Sequence, residues 1–317
     1  MAGTDKPVLL LGATGSIGRA TAQALAAAGF SVTALVRPGS AAVPDCRVVE
    51  GHVTDPADVA AVLAAVRPVA VVSCLASRTG EPADAWAVDY RAHSAVLKAA
   101  TAAGVGQFVL LSAICVQKPA LEFQRAKLAF EAELMAAPLN WSIVRATAYF
   151  KSLSGQVARV QGGRPFLVFG DGRLTACKPI SDADLGCYLA LCLTDPALQN
   201  RVLPVGGPGP AITPLDQVAM LQRLTGKPVK VKRVPLALMD AIIAGLSLGG
   251  VLSAKLRAKA ELARIGRYYA TESMLAWDGA RYDAEATPEF GSDRLEDHYA
   301  AMLRGEVGDD RGAHKVF

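Results

Sequence analysis

The sequence predicts a doubly wound α/β protein, a parallel sheet with helices on both faces, and three observations carry that reading. Short β-branched, apolar runs alternate with Ala-rich stretches through the first half of the chain. The runs are apolar without interruption, as strands covered on both faces must be. A glycine-rich turn, Gly12-Ala13-Thr14-Gly15-Ser16-Ile17-Gly18, joins the first run to the first Ala-rich stretch.

Taken in order, Val8–Leu11 reads as a strand, Ser16–Ala28 as an Ala-rich helix and Ser31–Val36 as a second apolar strand. Arg47–Glu50 is a short third strand, and Pro56–Val66 a helix opened by its proline. The strand Val69–Cys74, the helix Ala83–Ala103, the strand Gln107–Ser112, the helix Ala120–Ala136 and the strand Trp141–Arg145 continue the alternation. Right-handed crossovers then fix the topology. Beyond Ala146 the pattern gives way to Gly/Pro-punctuated segments, Gly162–Gly172 and Gly206–Pro210, with helices around Thr213–Thr225 and Leu236–Leu248.

At 317 residues the chain has room for two domains, or one domain with a large extension. The expected division is a nucleotide-binding domain over 1–146 and a substrate-binding extension over 147–305, interleaved with the last sheet strands. A disordered polar tail is expected over 306–317. With 52% hydrophobic and 20% charged residues, the composition excludes a disordered chain or a collagen-like fibre. A net charge of +4 with no basic run interleaved with aromatics argues against nucleic acid. Six cysteines without a CxxC pair and four scattered histidines suggest reduced thiols and no metal centre. The N-terminus lacks the basic and apolar regions of a signal peptide, so the protein is expected to stay in the cytoplasm where it is made.

The stretch Val234–Leu252 approaches the ~20 apolar residues that span a bilayer. Asp240 sits within it, at a cost of about 2.5–3.5 kcal/mol near mid-span, and Pro235, Gly245, Gly249 and Gly250 interrupt it. The preferred reading is an apolar helix over a pocket, with peripheral membrane contact through 234–252 left open.

The GxxGxxG turn has a mechanical reason. Gly12 permits the tight turn, Gly15 lets backbone N–H groups approach a pyrophosphate, and Gly18 lets helix and strand pack closely. Thr14, Ser16 and Ile17 complete the cradle, and the phosphates lie at a helix N-terminus whose orphan amides favour negative charge. After the second strand, where an NAD-selective protein carries a carboxylate for the ribose 2'-hydroxyl, the chain reads Arg37-Pro38-Gly39-Ser40. Arg37 offers a planar fork to a 2'-phosphate, with Ser40 as a second donor and Arg19 nearby, so NADPH is the expected cofactor. Thr54, within His52–Asp55, is placed beside the adenine. Leu75, Ala76 and Ser77 are placed beside the pyrophosphate and ribose.

The turn and strand order resemble the Rossmann-type short-chain dehydrogenase/reductase superfamily, in its extended, atypical branch. Members that reduce carbonyls carry a YxxxK pair, the tyrosine giving the proton and the lysine holding the ribose. Here the stretch is Phe123-Gln124-Arg125-Ala126-Lys127. Residues four apart share a helix face, so Lys127 can reach the ribose, but Phe123 has no proton for a carbonyl oxygen. Reduction of a carbon–carbon double bond, or nucleotide binding without turnover, remains. In the plainer alternative Phe123 is core and Lys127 a surface charge.

Longer strings narrow the resemblance. VSCLASRTG over 72–80, FVLLSAICVQKPALEFQRAKLAFEAEL over 108–134, SIVRATAYFKSLSGQV over 142–157, GDGRLTACKPISDADL over 170–185, LPVGGPGPAITPLDQ over 203–217 and RIGRYYATESML over 264–275 are similar to the 8-vinyl reductases of chlorophyll and bacteriochlorophyll biosynthesis. Two departures stand out: Ala146 where the family suggests Pro, and Tyr149 where it suggests Phe. The resemblance implies reduction of the 8-vinyl group of a divinyl chlorophyllide or protochlorophyllide by NADPH. It implies Lys127 as the catalytic residue, holding the ribose and open to relaying a proton, with water, Tyr149 and Cys115 as weaker donors. A flat tetrapyrrole is then the expected partner, its pocket built from Phe123, Tyr149, Phe150 and Leu153 below. The Gly170–Ile180 loop and the Leu236–Leu252 helix lie above. Lys151, Arg173 and Lys178 are candidates for its carboxylate, and contact through 234–252 would be with the photosynthetic membrane. Two rival readings stay open: an NADP-binding regulatory or assembly protein, and a reductase of a smaller conjugated aromatic.

Overall fold

The computed structural model describes residues 6–77 and 81–308; the tail expected over 306–317 lies outside them from residue 309 on. The chain opens with β1 (Pro7–Leu11), α1 (Ser16–Ala27), β2 (Ser31–Val36), β3 (Arg47–Glu50), α2 (Pro56–Val66) and β4 (Ala70–Ser73). There follow α3 (Pro82–Ala85), a π-helical stretch (Trp86–Ala92), α4 (His93–Ala102), β5 (Gln107–Ala113), a 3-10 turn (Ile114–Gln117), α5 (Glu122–Met135) and β6 (Asn140–Ala146). The second half supplies α6 (Phe150–Leu153), α7 (Gly155–Gln161), β7 (Phe166–Phe169), α8 (Asp182–Leu191), β8 (Arg201–Val205), α9 (Pro214–Thr225) and β9 (Val231–Val234). It closes with α10 (Leu236–Gly250), α11 (Ala254–Tyr269), β10 (Ala276–Trp277), β11 (Tyr282–Asp283) and α12 (Leu295–Leu303).

Seven strands form one parallel sheet in the order β3-β2-β1-β4-β5-β6-β8. Because successive side chains point to opposite faces, the unbroken apolar run of β1 feeds two cores at once. Val8 and Leu10 join Ala22, Leu25, Leu185 and Leu189 under α1 and α8. Leu9 and Leu11 join Val59, Leu63, Val96, Leu97, Phe130 and Leu134 under α2, α4 and α5. Each such fully buried leucine contributes about 1.5–3 kcal/mol relative to exposure. Helices α1 and α8 approach so closely that a Cβ on Gly186 would lie 2.7 Å from the Ala20 carbonyl carbon.

Local signals set the element ends. In α2, Asp55 accepts the Ala57 N–H at 2.8 Å, Pro56 occupies the first turn, and Arg67 stops the helix in the left-handed region at φ 48°. The stretch expected as one helix over Ala83–Ala103 is interrupted by the π-helical turn at Trp86–Ala92, a feature frequent at functional sites.

Beyond β6 a third core gathers Phe150, Val157, Phe166, Val218, Leu221 and Tyr299 beneath the paired strands β7 and β9. Helices α10 and α11 form an antiparallel hairpin. Two of the three glycines read from sequence as interruptions are its contact points: a Cβ on Gly249 would lie 2.6 Å from Leu256 Cδ1 and one on Gly250 3.2 Å from the Arg257 Cα, whereas one on Gly245 meets nothing within 4 Å. Asp240, the charge within the apolar stretch, pairs with Arg267 of α11 at 2.8 Å. Among the described residues no helix is long and apolar enough to cross a membrane.

Candidate active site

The sheet order reverses between β1 and β4, and the crevice above their C-terminal ends is where open α/β sheets bind ligands. Gly12 turns there at φ 75°, and a Cβ on it would lie 2.7 Å from the backbone of Cys74 and Leu75. A Cβ on Gly18 would meet the Gly12 carbonyl oxygen at 2.2 Å. A Cβ on Gly15 has no neighbour nearer than 3.5 Å, so the middle glycine faces open space while the outer two face protein. Gly15 caps α1 without a side-chain hydrogen bond, and no acidic residue lies in the first turn. The free N–H groups and the clear approach fit a pyrophosphate.

Thr14, Ser16 and Ile17 line this turn half-buried, and Arg37 stands exposed after β2, followed by a turn closed by the Ser40 N–H on the Arg37 carbonyl at 3.1 Å. Sequence reasoning found no carboxylate at the end of β2. The fold brings one from β3: Glu50 Oε1 accepts the Gly39 N–H at 3.2 Å and holds the Arg37–Ser40 turn in place. Thr54 is exposed just ahead of α2.

Lys127 is 12% exposed and donates to Asp89 Oδ1 at 2.9 Å. Asp89 belongs to the π-helical turn, is itself wholly buried, and accepts the Ser77 N–H through the same oxygen at 3.3 Å. Its Oδ2 is buried without a hydrogen-bond partner among the described residues. Burial pushes the Asp89 carboxyl up, but Lys127 and the Ser77 hydrogen bond outweigh it, and the group lies below the usual carboxylate range. One turn on, His93 Nδ1 lies 2.9 Å from the Val88 carbonyl, so it carries the proton, and Nε2 at 2.8 Å accepts from Ser73 Oγ. Ser73 Oγ in turn accepts the Leu75 N–H at 3.3 Å. The π-helical turn thus brings Asp89 and His93 to one side, where they fix Lys127 and the Leu75–Ser77 loop together. No sequence signal singled out either residue.

Above β5 the 3-10 turn presents Cys115, 2% exposed, beside Phe123, Ala126 and Tyr268. Phe123 is 9% exposed and packs in this cluster, one turn below Lys127 on α5. Tyr268 Oη donates to the carbonyls of Cys115 and Lys118 at 2.9 and 3.0 Å, tying the end of α11 down over β5. The next residue, Tyr269, places its Oη 3.8 Å from Cys115 Sγ. Tyr149, half-buried after β6, is raised in pKa by burial first and then by Cys115, Asp182 and Cys74. Lys127, Tyr149 and Tyr269 therefore gather near Cys115, with Cys74 near Tyr149, and share the space over the C-terminal ends of β4, β5 and β6.

Two expected substrate contacts already have partners within the protein. Phe150, 5% exposed, is committed to the third core. Lys178 is buried and holds Glu289 at 2.6 Å, so its charge stitches the Gly170–Ile180 loop to the segment before α12. Lys151 is half-buried and Arg173 exposed. Among the described residues no group of three or more His, Cys, Asp or Glu could hold a metal ion. A surface depression of about 610 Å³ lined by Gly106, Asn140, Trp141 and Asn200 lies at the opposite, N-terminal end of β5 and β6, away from this chemistry.

Residues 12–196 match the NAD(P)H-binding family. A protein of Oryza sativa subsp. indica named divinyl chlorophyllide a 8-vinyl-reductase, chloroplastic, is 45% identical, covering 100% of this chain and 84% of its own. A Zea mays protein of the same name is 47% identical over 99% of this chain and 84% of its own. Among solved structures, an Escherichia coli NADPH-dependent quinone oxidoreductase complexed with NADPH superposes with a TM-score of 0.67 at 19% identity, covering 93% of this chain and 99% of that one. That last likeness is one of fold.

Proposed function

The chain belongs to the divinyl chlorophyllide a 8-vinyl-reductase family, and from that premise we propose that it reduces the 8-vinyl group of a divinyl (bacterio)chlorophyll precursor to ethyl, with NADPH as its cofactor. The observation that carries this reading is identity of 43–47% to four relatives of that name across 97–100% of the chain. The site is compatible with the chemistry. A vinyl group conjugated to a macrocycle accepts hydride at its terminal carbon, and the ring spreads the charge, so no oxyanion forms and a phenyl ring at Phe123 is tolerated. Orientation supplies much of the rate.

The nicotinamide supplies the hydride when bound. Gly12, Thr14, Gly15, Ser16, Ile17 and Gly18 hold the pyrophosphate, Thr54 borders the adenine, Leu75, Ala76 and Ser77 border the ribose, and Lys127 fixes it, itself aimed by Asp89. Arg37 and Ser40 select the 2'-phosphate. Phe123 and Tyr149 form the floor for the flat pigment, and Lys151 is retained as the partner of its carboxylate. Mass spectrometry of divinyl chlorophyllide incubated with the protein and NADPH tests this: a gain of two hydrogens supports it, and an unchanged pigment with wild-type protein rejects it.

The hairpin tip is the proposed peripheral membrane contact. Leu248, Val251 and Leu252 are 76%, 76% and 94% exposed there, and Lys255 and Lys259 follow on α11, a pairing of apolar tip and basic flank suited to an anionic lipid surface. Flotation with anionic vesicles should carry the wild type but not Leu248→Glu/Leu252→Glu; equal flotation of both removes the proposal.

A further inference from the structure

Reduction of a vinyl group consumes a hydride and a proton, and the chain lacks the phenol its superfamily would place at Phe123. Lys127 is held by Asp89 in a buried pair, where losing its proton would leave a buried carboxylate unpaired. His93 donates to a backbone carbonyl and accepts from Ser73, so both ring nitrogens are engaged within the protein. Among the described residues, the protic groups around that space are then Cys74, Cys115, Tyr149 and Tyr269.

Resting on the vinyl-reductase reading, we propose that Tyr269 is the residue that protonates the carbon adjacent to the ring. The placement is built rather than incidental. Tyr268 anchors the end of α11 to the carbonyls of Cys115 and Lys118, and its ring meets that of Tyr269 edge-on at 5.8 Å and 88°. The anchored helix end sets the Tyr269 phenol over Cys115, its oxygen buried while the residue as a whole is 38% exposed. Burial first, and then Cys115, raise the phenol well above its ordinary value, which keeps it protonated across the neutral range. Cys115 itself is 2% exposed and the Cys74 thiol turns to Thr21 Oγ1 at 3.5 Å, so neither reaches a bound pigment as readily.

The step balances. The terminal carbon gains a C–H bond as the carbon–carbon π bond breaks and the cofactor is oxidised by two electrons. The electron pair left on the inner carbon and the macrocycle takes the phenolic proton, the O–H bond breaks, and solvent reprotonates the phenolate when the product leaves. Tyr269 comes from the cap, so the proton arrives from the side that covers the pigment, not from the sheet.

The test compares wild type, Tyr269→Phe and Tyr149→Phe. Tyr269→Phe should lower kcat about 100-fold or more, and its residual rate should fall as pH rises because hydronium replaces the phenol. Its Kd for divinyl chlorophyllide, read from pigment fluorescence without any cofactor, and its melting temperature should stay close to wild type. Tyr149→Phe, in the pigment floor, should keep the wild-type pH dependence of kcat whatever it does to pigment binding. Wild-type kcat retained in Tyr269→Phe, a changed pH dependence that follows Tyr149→Phe instead, or a loss accounted for by weaker pigment binding would each overturn the assignment. Failure of the wild type to reduce the pigment at all is a separate outcome: it rejects the vinyl-reductase reading and this assignment with it.

Discussion

The ammonium of Lys127 donates to Asp89 Oδ1 at 2.9 Å, and the same oxygen accepts the Ser77 N–H at 3.3 Å. One buried carboxylate thereby couples the lysine on α5 to the loop after β4, the two walls between which the cofactor ribose is proposed to lie.

Lys127→Ala strands that carboxylate. Breaking a buried pair from one side costs about 3–5 kcal/mol, so thermal unfolding should occur well below the wild-type temperature. Asp89→Asn combined with Lys127→Ala removes both charges and should recover most of the stability. Turnover should stay down by about 100-fold in both variants, since the ribose has lost its anchor. Near-normal turnover in the double variant would return Lys127 to a structural role.

His93 gives a pH signature. Burial first, and then Lys127, lower its pKa from 6.5 to about 4, with Asp89 opposing. The folded state therefore keeps the imidazole neutral while the unfolded chain takes up a proton below its ordinary value. This contribution to stability is complete above about pH 6.5 and declines as the pH falls towards 4, by on the order of 3 kcal/mol in all. Denaturant unfolding of wild type and His93→Gln at pH 7.5 and 4.5 measures it. The gap between them should narrow at the lower pH; a constant gap contradicts the neutral, buried imidazole.

Arg37 should decide between cofactors. Its guanidinium is exposed where a 2'-phosphate is expected, and a charge-assisted contact is worth about 1.5–3 kcal/mol. Arg37→Ala should raise KM for NADPH roughly 10- to 100-fold and leave NADH kinetics unchanged. Equal use of NADPH and NADH by the wild type would remove the phosphate-binding role.

The three glycines of the turn should fail differently. Gly18→Ala puts a methyl 2.2 Å from the Gly12 carbonyl oxygen, so α1 must move and the fold should lose stability. Gly15→Ala meets nothing closer than 3.5 Å and should fold normally, yet its methyl stands where the pyrophosphate approaches. Calorimetry with NADPH should find binding weakened at least tenfold in Gly15→Ala with an unchanged melting temperature. Matching losses of stability in both would mean that the middle glycine is only structural.

Much of this site was legible in the sequence because its physics is local. The Gly12–Gly18 spacing, the unbroken apolar strands and the Phe123/Lys127 register each lie within one or two elements. Asp89 and His93 were not legible, because a π-helical turn shifts which residues share a face, and the reading assumed a uniform helix through Ala83–Ala103. Glu50 was missed because β3 brings it beside Gly39 through sheet pairing rather than sequence proximity. Tyr268 and Tyr269 lie more than 150 residues from Cys115 and meet it only because α11 folds back over β5. Lys178 was read as a candidate for the substrate carboxylate because nothing local marks Glu289 as its partner.

The central claim is reduction of a conjugated vinyl group by NADPH, and absorption spectroscopy tests it most directly. Purified protein, NADPH and divinyl chlorophyllide are mixed while the Soret band and the nicotinamide absorbance are followed together. Loss of one conjugated vinyl group should move the Soret band to shorter wavelength, with one NADPH oxidised for each pigment converted. A stationary Soret band with NADPH unconsumed would contradict the account.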